Sequence, residues 1–112
     1  MIRSVLIGAL GVILSGAAAA AAAAAEDGAK VYAAQKCSMC HSVAGKGNPK
    51  GVLDDVGRRL SAAEIRQWLV SPKEMAEKHK AERKPPMKSF ATLPAADLDA
   101  LVAYLATLKN GK

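Results

Sequence analysis

Cys37-Ser38-Met39-Cys40-His41 decides how the rest of this chain is read. Its cysteines are the only two in 112 residues, three positions apart, with a histidine directly after the second. Two thiols at that spacing can each add across a vinyl group of haem, and the histidine that follows is then held beneath the iron. C-x-x-C-H therefore reads as attachment of a c-type haem rather than as a plain redox dithiol. The expected cofactor is one haem c, bound covalently through Cys37 and Cys40, with His41 as the proximal metal ligand. A ligating imidazole donates its other N–H to a carbonyl or carboxylate, which fixes tautomer and orientation. A backbone carbonyl from residues 49–53 is the expected acceptor.

Other uses of the same residues fit less well. In an oxidising compartment the pair could form a disulfide, but that leaves His41 without a role. Zinc held by Cys37, Cys40, His41 and His79 would need ligation from adjacent residues, against the usual ligand spacing. A thioredoxin-like dithiol needs a βαβ setting, and no such pattern is present. No Ser-His-Asp or phosphate-loop pattern stands out, and an enzyme is not expected.

Upstream of the motif, Arg3 precedes an apolar run from Val5 to Leu14, and an unbroken alanine tract fills positions 17–25. A basic start, an apolar stretch and small residues at a cut site describe a secretory signal peptide. Residues 1–25 are expected to be that leader, cut near Ala25, and residues 26–112 the folded domain, placed in the periplasm. The alternative is a retained leader serving as a membrane anchor, since Ser4 to Ala25 is long enough to span a bilayer if alanine counts as apolar.

The whole chain carries 16 basic and 10 acidic residues. Without Arg3 the net charge is +5 with neutral histidines, and two haem propionates bring it nearer +3. Domains this small bury only about 60% of their unfolded surface, and the aromatics are few: Tyr32, Trp68, Phe90 and Tyr104. A bound haem would supply the missing apolar centre.

The hydrophobic pattern is helical throughout. Gly28 to Lys36 reads as a first helix with Asp27 as its N-cap. Glycines at 45, 47, 51 and 57 and Pro49 make residues 42–59 a loop rather than strands. Ser61 to Glu64 is a capping box, and Ile65, Trp68 and Leu69 follow on one helix face before Pro72. Lys73 to Lys84 is charge-rich and reads as a solvated helix stopped by Pro85-Pro86. Leu98, Leu101, Val102, Leu105 and Leu108 form an apolar stripe over Asp97 to Lys109, with Pro94 in the first turn. The expected class is all-α.

The sixth iron ligand separates electron transfer from ligand chemistry. Met75, Met87, His79 and a lysine are the candidates, because Met39 lies inside the attachment loop. Met87 follows two prolines whose φ angles are fixed, and it stands 46 residues after His41. Methionine opposite histidine raises the potential and closes the distal site. His79 reads as a surface histidine.

Taken together, Gly28 to Tyr32, Cys37 to His41, Gly57-Arg58, Ile65 to Pro72, Pro86-Met87 and Leu98 to Leu108 resemble the small monohaem class I cytochromes c, over residues 28–112. The resemblance implies a small cytochrome c fold, with helices packed around one covalently attached haem. It also implies a crossing of the first helix, at Gly28 and Tyr32, with the last, at Leu101, Tyr104 and Leu105. Arg58 matches a propionate-binding arginine. Trp68 matches an aromatic on the methionine side of the haem. Where relatives often carry Gly-Pro-x-Leu this chain has Gly51-Val52-Leu53, so the carbonyl of Val52 is expected to serve His41.

The function so implied is that of a soluble monomer shuttling single electrons. Lys36, Lys46, Lys50, Lys84 and Lys88 flank the haem-binding segments and would steer docking to an acidic patch on an oxidase, reductase or dehydrogenase. Nucleic acid is not an expected partner, and membrane is one only if the leader is retained. Two rivals stand: a haem enzyme or ligand-binding sensor with an open sixth position, and a dedicated cytochrome subunit of one oxidoreductase complex.

Overall fold

Alanine is the strongest helix former, and its tract carries the first helix of the computed structural model well upstream of Gly28. Helix α1 spans Gly16–Ala34, and the structure describes residues 16–110. Asp27 therefore lies inside a helix instead of capping one. The basic and apolar part of the expected leader, Arg3 to Leu14, falls outside the described residues. Among those described, no helix is long and apolar enough to cross a membrane.

After α1, Lys36 takes a left-handed conformation with φ 55°, uncommon for a residue with a side chain. It turns the chain into a 3-10 turn at Cys37–Met39. The loop that follows contains a small hairpin that the glycine density concealed. Strands β1 (Ser42–Val43) and β2 (Lys46–Gly47) pair antiparallel, Ser42 opposite Gly47. Ala44 and Gly45 form its turn, both at positive φ. A second 3-10 turn, Pro49–Gly51, begins at Asn48, whose side chain accepts from the Lys50 N–H.

Helix α2 is a single turn, Val56–Arg59. Helix α3, Ala62–Val70, starts on the expected capping box: Ser61 Oγ accepts from the Glu64 N–H at 3.2 Å, and Glu64 Oε1 accepts from the Ser61 N–H at 3.0 Å. Pro72 opens helix α4, Pro72–His79, which ends at the left-handed Lys80, four residues before Lys84. Residues 81–84, expected as its last turn, are not helical and are exposed. Helix α5 is Ala95–Ala106, with Pro94 just outside it at the cap.

The core lies where α1 and α5 cross and extends to α3. Gly28 makes the crossing possible: a Cβ there would stand 1.9 Å from the Ala100 carbonyl oxygen and 2.5 Å from Tyr104 Cβ. One turn on, Tyr32 meets Tyr104 edge to face at 5.6 Å, a favoured aromatic arrangement. Leu98, Leu101, Val102 and Leu105 are buried with Val56, Ile65, Leu69 and Phe90. Leu108, last of the predicted stripe, packs against this cluster from beyond the end of α5.

The C-terminal end of α5 is held by α2 and the residue pair before it. The Gly57 N–H donates to the Leu108 carbonyl at 2.8 Å, and the Asn110 N–H donates to the Asp54 carbonyl at 3.0 Å. Gly57 again permits close approach, since a Cβ would lie 2.2 Å from the Ala106 oxygen.

Candidate functional site

The attachment motif sits on a frame of backbone hydrogen bonds. The His41 N–H donates to the Cys37 carbonyl at 2.9 Å, closing the motif on itself. The Asn48 N–H donates to both the Ser38 and His41 carbonyls, and its side-chain amide donates to the Met39 carbonyl. The hairpin thus places Asn48 under the loop, and Gly47 fits where a Cβ would stand 2.2 Å from the His41 oxygen. Such a frame fixes the backbone of the motif around Cys37, Cys40 and His41.

His41 is half-buried, and its Nδ1 lies 3.1 Å from the carbonyl oxygen of Gly51. Beside a carbonyl, Nδ1 is the protonated nitrogen, which leaves Nε2 with its lone pair. The 3-10 turn aims this carbonyl inward. Glycine is required there, because a Cβ would come within 2.2 Å of the Cys40 oxygen and 2.8 Å of Nδ1. The acceptor is therefore Gly51 and not Val52, whose side chain is 53% exposed. Burial holds His41 below the usual imidazole range; the Gly51 carbonyl opposes this and the Arg83 cation adds to it. A depressed value favours the neutral, ligating imidazole.

Cys37 and Cys40 are both free thiols. Cys37 packs against the hydrophobic core, and burial pushes its thiol up. Cys40 is exposed. The zinc alternative finds no assembled site: among the described residues no three of His, Cys, Asp or Glu are grouped to hold a metal. His79 is exposed and stacks on Trp68, with centroids 5.7 Å apart and planes at 28°.

Met87 packs against the core cluster, half-buried. The segment after it is tied to the end of α3. The Phe90 N–H donates to the Leu69 carbonyl at 2.7 Å, and Ser89 Oγ donates to the Val70 carbonyl at 2.8 Å. Lys88 lies over the Phe90 ring at 5.1 Å. Met75 is buried, on α4.

Trp68 is half-buried on α3 beside the buried Leu69. Arg58 makes contacts within the protein at the start of α2 and after α5. Its guanidinium pairs with Asp55 at 3.3 Å and donates to the Lys109 carbonyl at 2.5 Å. Those contacts tie it to the end of the last helix, 60% exposed.

Donor set and surroundings fit a c-type haem. Two unbridged thiols precede an imidazole oriented by a carbonyl, whose free nitrogen is Nε2, and a thioether is carried on a segment braced against α3. Gly51, Asn48 and Arg83 were not singled out by the motif. A glycine beside an expected carbonyl contact was the one available signal, whereas Asn48 and Arg83 reach the motif only through tertiary folding.

A family model described as Cytochrome c matches residues 25–109. No curated protein and no solved structure gives a significant match.

Proposed function

The chain belongs to the cytochrome c family, and on that premise we propose that it is a soluble, exported shuttle for single electrons with His41 and Met87 as the axial ligands of its haem. Members of the family bind haem and transfer electrons. Haem c supplies the one-electron Fe(III)/Fe(II) couple. The chain's residues do the rest: Cys37 and Cys40 hold the macrocycle, His41 ligates through Nε2, and Gly51 holds the imidazole's tautomer and tilt. Met87 closes the sixth position, which favours electron carriage over ligand chemistry or catalysis. An apolar surround, which the core residues Ile65, Leu69, Phe90 and Leu101 would supply, would exclude water and disfavour the extra positive charge of the ferric state.

Docking is assigned to the face around the attachment loop. Met39, 70% exposed, and Val52 stand there as bare apolar side chains. The exposed Lys36, Lys46, Lys50, Lys84 and Lys88, on the segments around them, would add positive charge there. An acidic patch on an oxidase, reductase or dehydrogenase complements that face, and steering of this kind weakens with salt. The transient complex should therefore dissociate at high salt, whereas a dedicated subunit would stay bound.

The observation that supports the reading is that His41 is oriented by the Gly51 carbonyl, with Met87 held separately against the core. The test is the optical spectrum of both oxidation states. Ferric protein should show a weak far-red methionine-sulfur band, lost in Met87→Ala. A high-spin ferric spectrum in the unmodified protein would overturn the shuttle and point to an open sixth position.

A further inference from the structure

We propose that Arg83 is a positioning residue that clasps the Met87-bearing strap to the haem-attachment loop through the Cys40 carbonyl, keeping the methionine on the iron. The inference rests on the reading of Met87 as sixth ligand.

The strap runs from the end of α4 at Lys80 to Phe90. On its downstream side Ser89 and Phe90 are bonded to the end of α3. On its upstream side residues 81–86 are exposed and belong to no helix or strand. An open cleft of ≈ 570 Å³ separates this stretch from the attachment loop, with Met39 and Asn48 on one wall and Glu82 and Pro85 on the other. Arg83 crosses it. One guanidinium nitrogen, Nη2, donates to the Cys40 carbonyl. The other, Nη1, reaches the space beside Gly51, 2.2 Å from where a Cβ would stand.

The guanidinium therefore sits between the covalent attachment point and the turn that orients His41. Met87 is left between two tethers, Arg83 four residues before it and Ser89–Phe90 just after it. Releasing the first lets the upstream strap swing and lowers the cost of losing the sulfur ligand. Arginine suits this role because its rigid planar fork presents donors in two directions, while a lysine ammonium offers a point charge on a flexible stem. A hydrogen bond to a charged donor is also among the stronger kinds.

The experiment titrates ferric haem-loaded protein with imidazole, which competes for the sixth position, and follows loss of the far-red methionine band. Arg83→Gln should bind imidazole about tenfold more tightly than unmodified protein, as expected from one charged hydrogen bond at an exposed site. Arg83→Lys keeps the charge but loses the fork and should shift in the same direction. If Arg83→Gln does not retain haem, Arg83→Lys carries the test alone. Lys78→Gln, which removes a cation from neighbouring α4, should leave the affinity within about twofold of the unmodified protein, because surface charges away from specific contacts act weakly.

Unchanged imidazole affinity in Arg83→Lys overturns the clasp, as does an equal rise in Lys78→Gln, which would make the effect one of general charge. A missing methionine band in the unmodified protein instead overturns the ligand assignment. The two failures are therefore distinguishable.

Discussion

The Nδ1 atom of His41 and the carbonyl oxygen of Gly51 stand 3.1 Å apart, joining the attachment motif to a turn ten residues further on. This contact, together with the absence of a side chain at Gly51, sets the direction of the imidazole. Nothing larger than a hydrogen atom fits between that turn, the Cys40 carbonyl and the ring.

Gly51→Ala should therefore disturb the site more than its chemistry suggests. Its Cβ must displace the turn, and overpacking of this kind costs about 1–3 kcal/mol. The expected outcome is a lower denaturation midpoint and an altered low-spin signature, measured by guanidinium titration and electron paramagnetic resonance of the ferric form. Unchanged spectra would show that the turn can move away from His41 freely.

Gly28→Ala tests the crossing of α1 and α5. The added methyl would meet backbone at 1.9 Å, so the helices must separate, taking Tyr32 from Tyr104. A loss of about 3 kcal/mol or more is expected, in the range of severe core disruptions. Equilibrium unfolding measures it, and a loss below about 1 kcal/mol, the ordinary size for a point mutation, would contradict the close crossing.

Tyr32 is buried, and among the described residues its hydroxyl has no hydrogen-bond partner. Removing an unsatisfied hydroxyl should leave stability unchanged or raise it by about 1 kcal/mol, so Tyr32→Phe is expected not to destabilise. Its pH dependence is more telling. Burial first, and then the neighbouring Cys37, Tyr104 and Asp54, push its pKa from 10.0 up to about 12. The folded protein therefore binds this proton more tightly than the unfolded chain does. That contribution is complete below pH 10 and is lost as pH rises towards about 12. Tyr32→Phe should lose less stability across that window, compared by denaturant midpoints at its two ends. Tyr104 shifts in the same direction and remains, so part of the alkaline loss persists.

Ser61→Ala removes the side-chain acceptor of the capping box that starts α3, leaving the Glu64 N–H without it. A loss of about 1 kcal/mol is expected, read as a drop in melting temperature. The oxidised and reduced spectra should not change, because the cap lies at the opposite end of α3 from the Leu69 and Val70 carbonyls that brace the Met87 strap.

His79→Ala separates His79 from Met87 as the sixth ligand. The ring is engaged with Trp68, so the ferric spectrum should be unchanged while tryptophan emission shifts as its neighbour is lost. A far-red band absent from the unmodified protein, together with a low-spin ferric spectrum that turns high-spin in His79→Ala, would transfer the ligand role from Met87 to His79.

Much of the fold is written in local pattern. The Leu98-to-Leu105 stripe, the Ser61–Glu64 box and the position of Pro72 each act over a few residues, so the helices they define are legible without a partner. The start of α1 is a different case: Asp27 reads locally as a cap, but the alanine tract before it carries the helix on through Glu26, Asp27 and Gly28. The hairpin at residues 42–47 is too short for alternation to reveal, and it is held by the Asn48 N–H bonding back to the attachment loop and the Leu53 N–H to the Ser42 carbonyl.

The sequence alone determined which residues can carry the proposed chemistry: two thiols and an imidazole at haem-attachment spacing, and a methionine after two prolines. Residue type and spacing suffice for that, since bond-forming capacity belongs to the side chain itself. Tertiary structure decided which carbonyl serves His41, that Arg58 holds the end of α5, that Trp68 faces His79, and that Arg83 reaches Cys40. Each of these depends on distances between segments far apart in the chain, and such distances are set only when α1, α3 and α5 pack together and bring their loops into register.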